Sequence, residues 1–89
     1  MLRATLTIVN RLGLHARAAT KLAATCGRYP CTIRCGRGEQ RVDAKSIMSL
    51  MLLAAPKGSV LEFEFDGDEE QAALDAVAAL IADFFGEGG

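Results

Sequence analysis

The chain of 89 residues predicts a small α+β fold in two layers, a mainly antiparallel sheet with helices on one face. Three observations carry that expectation. Stretches that alternate apolar and polar residues are interleaved with stretches of helical period, in the order strand, helix, strand, strand, helix, strand, helix. Strands two and three are separated only by a glycine-containing turn, which makes them a hairpin. Helices gathered on one face are the simplest way for a small antiparallel sheet to bury its apolar side.

Each element has its own cause. Leu2, Ala4, Leu6 and Ile8 alternate with Arg3, Thr5 and Thr7, the pattern of a half-buried strand. Asn10 to Leu14 reads as a loop around Gly13. Ala19, Leu22, Ala23 and Cys26 share one helical face, predicting a helix from Ala16 to Cys26 with Gly27 as its terminating glycine. Cys31, Ile33 and Cys35 lie on one side of the second strand, Gly36-Arg37-Gly38 turns the chain, and Glu39 to Asp43 returns. Ser46 is placed to cap a short helix over Ile47 to Leu53, and Pro56-Lys57-Gly58 ends that segment. Val60 to Phe65 is the fourth strand, with Leu61, Phe63 and Phe65 inward and Glu62 and Glu64 outward. Asp68 is the expected cap of the last helix, with Gln71 as its capping-box partner and Glu69 and Glu70 in the first turn. That helix is expected to bury Leu74, Val77, Ile81 and Phe84. Residues 86–89 are expected to fray, and the whole of 1–89 reads as one domain.

Composition narrows the function classes. A hydrophobic share of 51% supports a compact, modest core. A net charge of −1 provides no basic footprint for nucleic acid, and the lack of Trp weakens base stacking. No apolar run approaches the roughly 18 residues of a membrane span, and the first strand lacks the features of a secretory signal. The expectation is a cytosolic protein. Cys26, Cys31 and Cys35 are odd in number and occupy apolar positions, as free core thiols in a reducing compartment would. Their spacing lacks C-x-x-C, so a metal site built from them and His15 is not expected.

The chemistry concentrates at two points. His15, the only histidine, stands where the first helix begins. A helix start offers unpaired N–H groups and the positive end of the helix dipole, and both favour phosphate. The plainer alternative is that His15 merely caps the helix or bonds the loop. Arg17 follows in the first turn, where a cation is slightly misplaced. An intermittently bound phosphoryl group would account for it. Ser46 reads first as an N-cap; a phosphosite is compatible, because phosphate is favoured at a helix start. The short helix is apolar nearly all round, so Ile47, Met48 and Met51 are expected to be partly exposed and available to a partner. The alternative is that they pack beneath a neighbouring loop.

With Gly13-Leu14-His15-Ala16-Arg17 and Ala44-Lys45-Ser46-Ile47-Met48 in place, the chain resembles the histidine-containing phosphocarrier (HPr) family of the bacterial phosphoenolpyruvate phosphotransferase system. The resemblance covers about residues 1–85. It implies an open-faced sandwich, βαββαβα, with strand order 1-4-2-3. It implies that Nδ1 of His15 accepts a phosphoryl group from phospho-Enzyme I, that Arg17 steadies it, and that an Enzyme IIA protein receives it. It further implies that Ser46 is a regulatory site for an HPr kinase/phosphorylase. The family's docking surface maps here onto Thr20, Lys21 and Ala24 and onto Ile47, Met48 and Met51. No cofactor, metal or membrane insertion is implied, and a monomer is expected, acting as a carrier of sugar uptake or of the nitrogen-related branch rather than as a complete enzyme. Ala18 departs from the family's usual proline and Ser49 from a frequent glycine. Alanine keeps the helix and adds a free N–H at its start. Two other classes compete. A docking regulator of the same fold would have no need of His15 and Arg17, and a small ferredoxin-like metal domain is opposed by the cysteine spacing.

Overall fold

The computed structural model describes residues 1–88. Four strands, β1 (Leu2–Thr7), β2 (Thr32–Arg37), β3 (Gln40–Asp43) and β4 (Val60–Asp66), form one antiparallel sheet in the order β1-β4-β2-β3. Three helices, α1 (Ala16–Gly27), α2 (Ile47–Leu52) and α3 (Glu70–Ala82), cover one face. The predicted two-layer α+β class and strand order therefore hold.

Alternation sets which face is covered. Leu61, Phe63 and Phe65 of β4 point into the core with Ile33 and Cys35 of β2, and the rings of Phe63 and Phe65 stack 6.0 Å apart. Against them lie Ala19, Leu22 and Cys26 of α1, Leu50 of α2, and Ala73, Val77 and Ile81 of α3. The alanines let these helices approach the aromatic layer closely. All three cysteines are free and buried, and burial pushes the Cys26 and Cys35 thiols up to about 12. The opposite face is charged. Arg3 pairs with Glu64, and Arg41 reaches Glu62 across Gly36, where any Cβ would collide with the arginine.

Several boundaries differ from the sequence expectation. Gly27 belongs to the last turn of α1 and is not left-handed; the helix closes through Arg28 N–H bonded to Thr25 O. β2 runs on to Arg37, so the hairpin turn is Gly38-Glu39 alone. Asp68 does not cap α3. Glu69 takes a left-handed φ of 63°, and the Glu70 carboxylate instead accepts the Gly67 N–H at 3.1 Å. Gln71 donates to Asp75 rather than serving a capping box. Leu74 is only partly buried, and Phe85, not Phe84, enters the core.

That last difference redirects the C-terminal segment. α3 stops at Ala82, and Phe84 and Phe85 both adopt left-handed φ values, 55° and 53°. Two such residues cost about 1–2 kcal/mol each, and burying a Phe returns about 1.5–3 kcal/mol. Lys21 Nζ donates to Phe85 O at 2.6 Å and adds to the return. Gly86 and Glu87 are consequently led back to the loop of His15, where the Glu87 carboxylate meets Asn10. Gly89 lies outside the described residues.

α2 is fastened at both ends. Ser46 Oγ accepts the Ser49 N–H at 3.3 Å as the predicted cap, and Lys45 Nζ donates to Tyr29 O just beyond α1. Arg37 donates to Leu53 O and Ala54 O past its other end. The segment after α2 then meets the loop before α1. Gly13, at φ +69°, lies so close that a Cβ would stand 2.5 Å from Ala55 O, and Leu14 N–H donates to that same oxygen at 2.8 Å.

Two outcomes follow. Gly13→Ala will cost about 2 kcal/mol from backbone strain and collision, lowering the thermal midpoint by about 10 °C in circular dichroism melts. In native protein at neutral pH, Cys26 and Cys35 will resist alkylation by iodoacetamide, and denaturant will expose them, as intact-mass spectra will show.

Candidate functional site

The loop held by Gly13 and Leu14 delivers His15 as the N-cap of α1, with extended backbone and a side chain 27% exposed. Its Nδ1 accepts the Arg17 backbone N–H at 3.3 Å. The imidazole thus takes the role that a Ser or Asp oxygen fills at other helix starts. The reading of His15 as a cap is realised by this geometry, which also leaves the ring at a helix start, where an anion is favoured. Nδ1 lies at the positive end of the helix, beside first-turn N–H groups that have no carbonyl of their own.

The other ring nitrogen faces an acid. Nε2 lies 2.6 Å from Oε2 of Glu87, whose side chain is 10% exposed. Glu87 Oε1 accepts from Asn10 Nδ2 at 3.0 Å, and the same amide donates to Gly13 O at 2.8 Å. Burial pushes the Glu87 carboxyl up, but hydrogen bonds from Asn10 and His15 and the charges of His15 and Lys21 outweigh it. The net effect holds the carboxyl below its usual value.

Arg11, Leu12, Arg17, Lys21, Gly86 and Glu87 surround His15 in an open cleft of about 470 Å³. Three cations in one cleft at a helix start suit a phosphoryl group. Arg17 is exposed and lines this cleft. Asn10, Arg11 and Glu87 were not among the sequence candidates. Asn10 carried a faint signal, a polar residue between strand and loop glycine. Glu87 carried none, because nothing in its neighbours announces the reversal at Phe84 and Phe85. A second cleft, of about 410 Å³, lies along β2 and β3 and holds no part of this site.

The expected docking residues divide. Thr20 is exposed, with its hydroxyl bonded to Ala16 O, and Ala24 is exposed on the same helix. The Lys21 ammonium is committed to Phe85 O and lines the cleft, so it belongs to the histidine site as much as to an outer surface. On the neighbouring α2, Ile47, Met48 and Met51 are exposed at 40%, 79% and 44%, and Leu52, which was not among the residues expected to be exposed, at 69%. Leu50 alone of α2 is buried.

A helix-capping histidine in a basic cleft, on an open-faced sheet of order 1-4-2-3, is an arrangement suited to holding a phosphoryl group. The family described as the PTS HPr component phosphorylation site matches residues 2–83. The phosphocarrier protein HPr of Cupriavidus necator is 51% identical over 88 residues, covering 99% of both chains. A phosphocarrier protein NPr of Shewanella violacea is 41% identical, covering 91% of this chain and 89% of its own. The crystal structure of HPr-C-His from Thermoanaerobacter tengcongensis superposes with a TM-score of 0.94 at 37% identity, covering 98% of both chains. The chain belongs to the HPr family, and it is a phosphoryl carrier of the phosphotransferase system.

The Glu87 contact predicts an acid-side effect. A carboxyl held below its unfolded value stabilises the fold above that value and loses the contribution as pH falls through the folded one. Wild-type stability will therefore decline as pH drops below about 4.5. Glu87→Gln, measured by urea unfolding across that range, will show a shallower decline.

Proposed function

We propose that Nδ1 of His15 is the atom that carries the phosphoryl group. The observation that carries this reading is the placement of Nδ1 at the N-terminus of α1 inside the cleft of Arg11, Arg17 and Lys21. The Nδ1 lone pair attacks phosphorus of phospho-Enzyme I, and the donor atom leaves with its bonding pair. The first-turn N–H groups and the Arg17 guanidinium then hold the phosphoryl oxygens. Transfer to an Enzyme IIA protein is the same step in reverse, and it needs neither metal nor organic cofactor. The chemistry is common to the sugar-uptake and nitrogen-related branches.

Docking uses the exposed faces of α1 and α2, through Thr20, Lys21 and Ala24 and through Ile47, Met48 and Met51, with Leu52 added by its exposure. The apolar stripe on α2 suits partners of different shape, because methionine repacks easily. We infer that one cytosolic monomer presents this face first to donor and then to acceptor. Ser46 caps α2 beside Ile47 and Met48. Phosphorylation there by an HPr kinase/phosphorylase would add about −2 charge to the rim of an apolar surface and weaken docking. The competing reading, a docking regulator that carries no phosphate, leaves the cationic cleft around His15 without a purpose.

Incubation with phosphoenolpyruvate and Enzyme I will add one acid-labile phosphate to wild type and none to His15→Ala, by intact mass. Arg17→Ala will slow uptake by roughly tenfold through loss of a charge-assisted contact. Folded wild type that stays unmodified beside an active, matched Enzyme I would reject the assignment.

A further inference from the structure

Among the described residues, Glu87 is the one acid in the cleft of His15, Arg11, Arg17 and Lys21. Its position is built. Phe85 anchors the returning segment in the core with no exposed surface, and Lys21 fastens the Phe85 carbonyl. Asn10 then occupies one carboxylate oxygen while remaining bonded to Gly13, two residues before His15. The other oxygen is left directed at Nε2, at 2.6 Å. Glu87, Asn10 and His15 therefore form a chain of contacts on the side of the ring away from Nδ1.

The two contacts of the ring agree with each other. A backbone N–H can only donate, so Nδ1, facing Arg17 N–H, is an acceptor. A neutral imidazole then carries its proton on Nε2, where the carboxylate accepts it.

We propose that Glu87 is a positioning residue for phosphoryl transfer: its carboxylate holds the proton on Nε2 of His15, keeping the lone pair on Nδ1, and faces the charge the ring gains when Nδ1 is phosphorylated. The proposal rests on the assignment of His15 as the acceptor. When Nδ1 forms its bond to phosphorus, the donor keeps the electron pair of the bond that breaks. The ring retains its Nε2 proton and becomes cationic against the Glu87 carboxylate. When the phosphoryl group moves on, the N–P pair returns to Nδ1 and the ring is neutral again. No proton arrives or leaves in either direction. Glu87 faces Nε2, so it need not be displaced by the phosphoryl group.

The test uses full-length wild type, Glu87→Ala and Glu87→Gln. Long-range imidazole ¹H–¹⁵N spectra, taken at a pH where the ring is neutral, read the tautomer with no phosphoryl donor present. Wild type will show the Nε2–H form, Glu87→Ala a mixture of both, and Glu87→Gln, whose amide oxygen still accepts, mainly the wild-type form. With phosphoenolpyruvate and catalytic Enzyme I, Glu87→Ala will be phosphorylated about tenfold more slowly and Glu87→Gln about threefold. An unchanged tautomer or an unchanged rate in Glu87→Ala with a native amide spectrum overturns the proposal. Should Glu87→Ala fail to fold, a wild-type rate in Glu87→Gln overturns it. Absence of phosphate on wild type is a separate result that rejects His15 as acceptor, while the tautomer spectra still report whether Glu87 governs the ring.

Discussion

The meeting of two backbone segments, Gly13-Leu14 with Ala55-Pro56, is the constraint on which the site depends. Gly13 can approach Ala55 O only because it has no side chain, and only at positive φ does it direct Leu14 N–H onto that oxygen. Leu14 then enters the core, and the next residue, His15, is left at the surface with its ring turned back over α1. The same contact ties the loop of His15 to the segment leaving α2. His15 and the exposed apolar face of α2 are thereby held in one frame, with Arg37 and Lys45 fastening the ends of α2 from other parts of the fold.

Beneath that frame the core is economical. Phe63, Phe65 and Phe85 supply its bulk, and alanines and cysteines fill the space between helices and sheet. Small residues on the helices bring their backbones near the aromatic layer, which steadies α1 and its N-terminus without needing a longer chain. The short α2 could not be stable alone. One fully buried residue, Leu50, a serine cap and two borrowed basic side chains hold it, so its other apolar residues are free to face outward. Exposure of Met48 and Leu52 is compatible with folding because the anchoring is done elsewhere.

The site itself balances charges of opposite sign around one ring. Arg11, Arg17, Lys21 and the helix start make the cleft attractive to a phosphoryl group. Glu87 stands on the far side of His15, its charge tied to Asn10 and to Nε2. The arrangement divides the imidazole into a side that faces the helix start and a side held by a carboxylate, which a helix cap by itself would not achieve.

Local pattern determined a great deal. The alternation in β1, β2 and β4, the helical face of α1, the cap at Ser46 and the prominence of His15 and Arg17 all arise from neighbours in the chain, and all were legible there. The resemblance in the two motifs supplied the strand order. Tertiary structure decided the rest. Gly27 looked like a stop, yet nothing required a left-handed residue there once Arg28 closed the helix. Asp68 looked like a cap until Glu69 turned the chain and Glu70 answered Gly67. Above all, the choice of Phe85 over Phe84 for the core was settled by where α3 ends against the sheet. No local signal encodes that, and together with the Lys21 and Asn10 contacts it brings Glu87, 72 positions along the chain, to the imidazole of His15. Periodicity records which side of an element is apolar. It holds no record of which distant backbone can reverse to complete a site, because that depends on packing shared by the whole molecule.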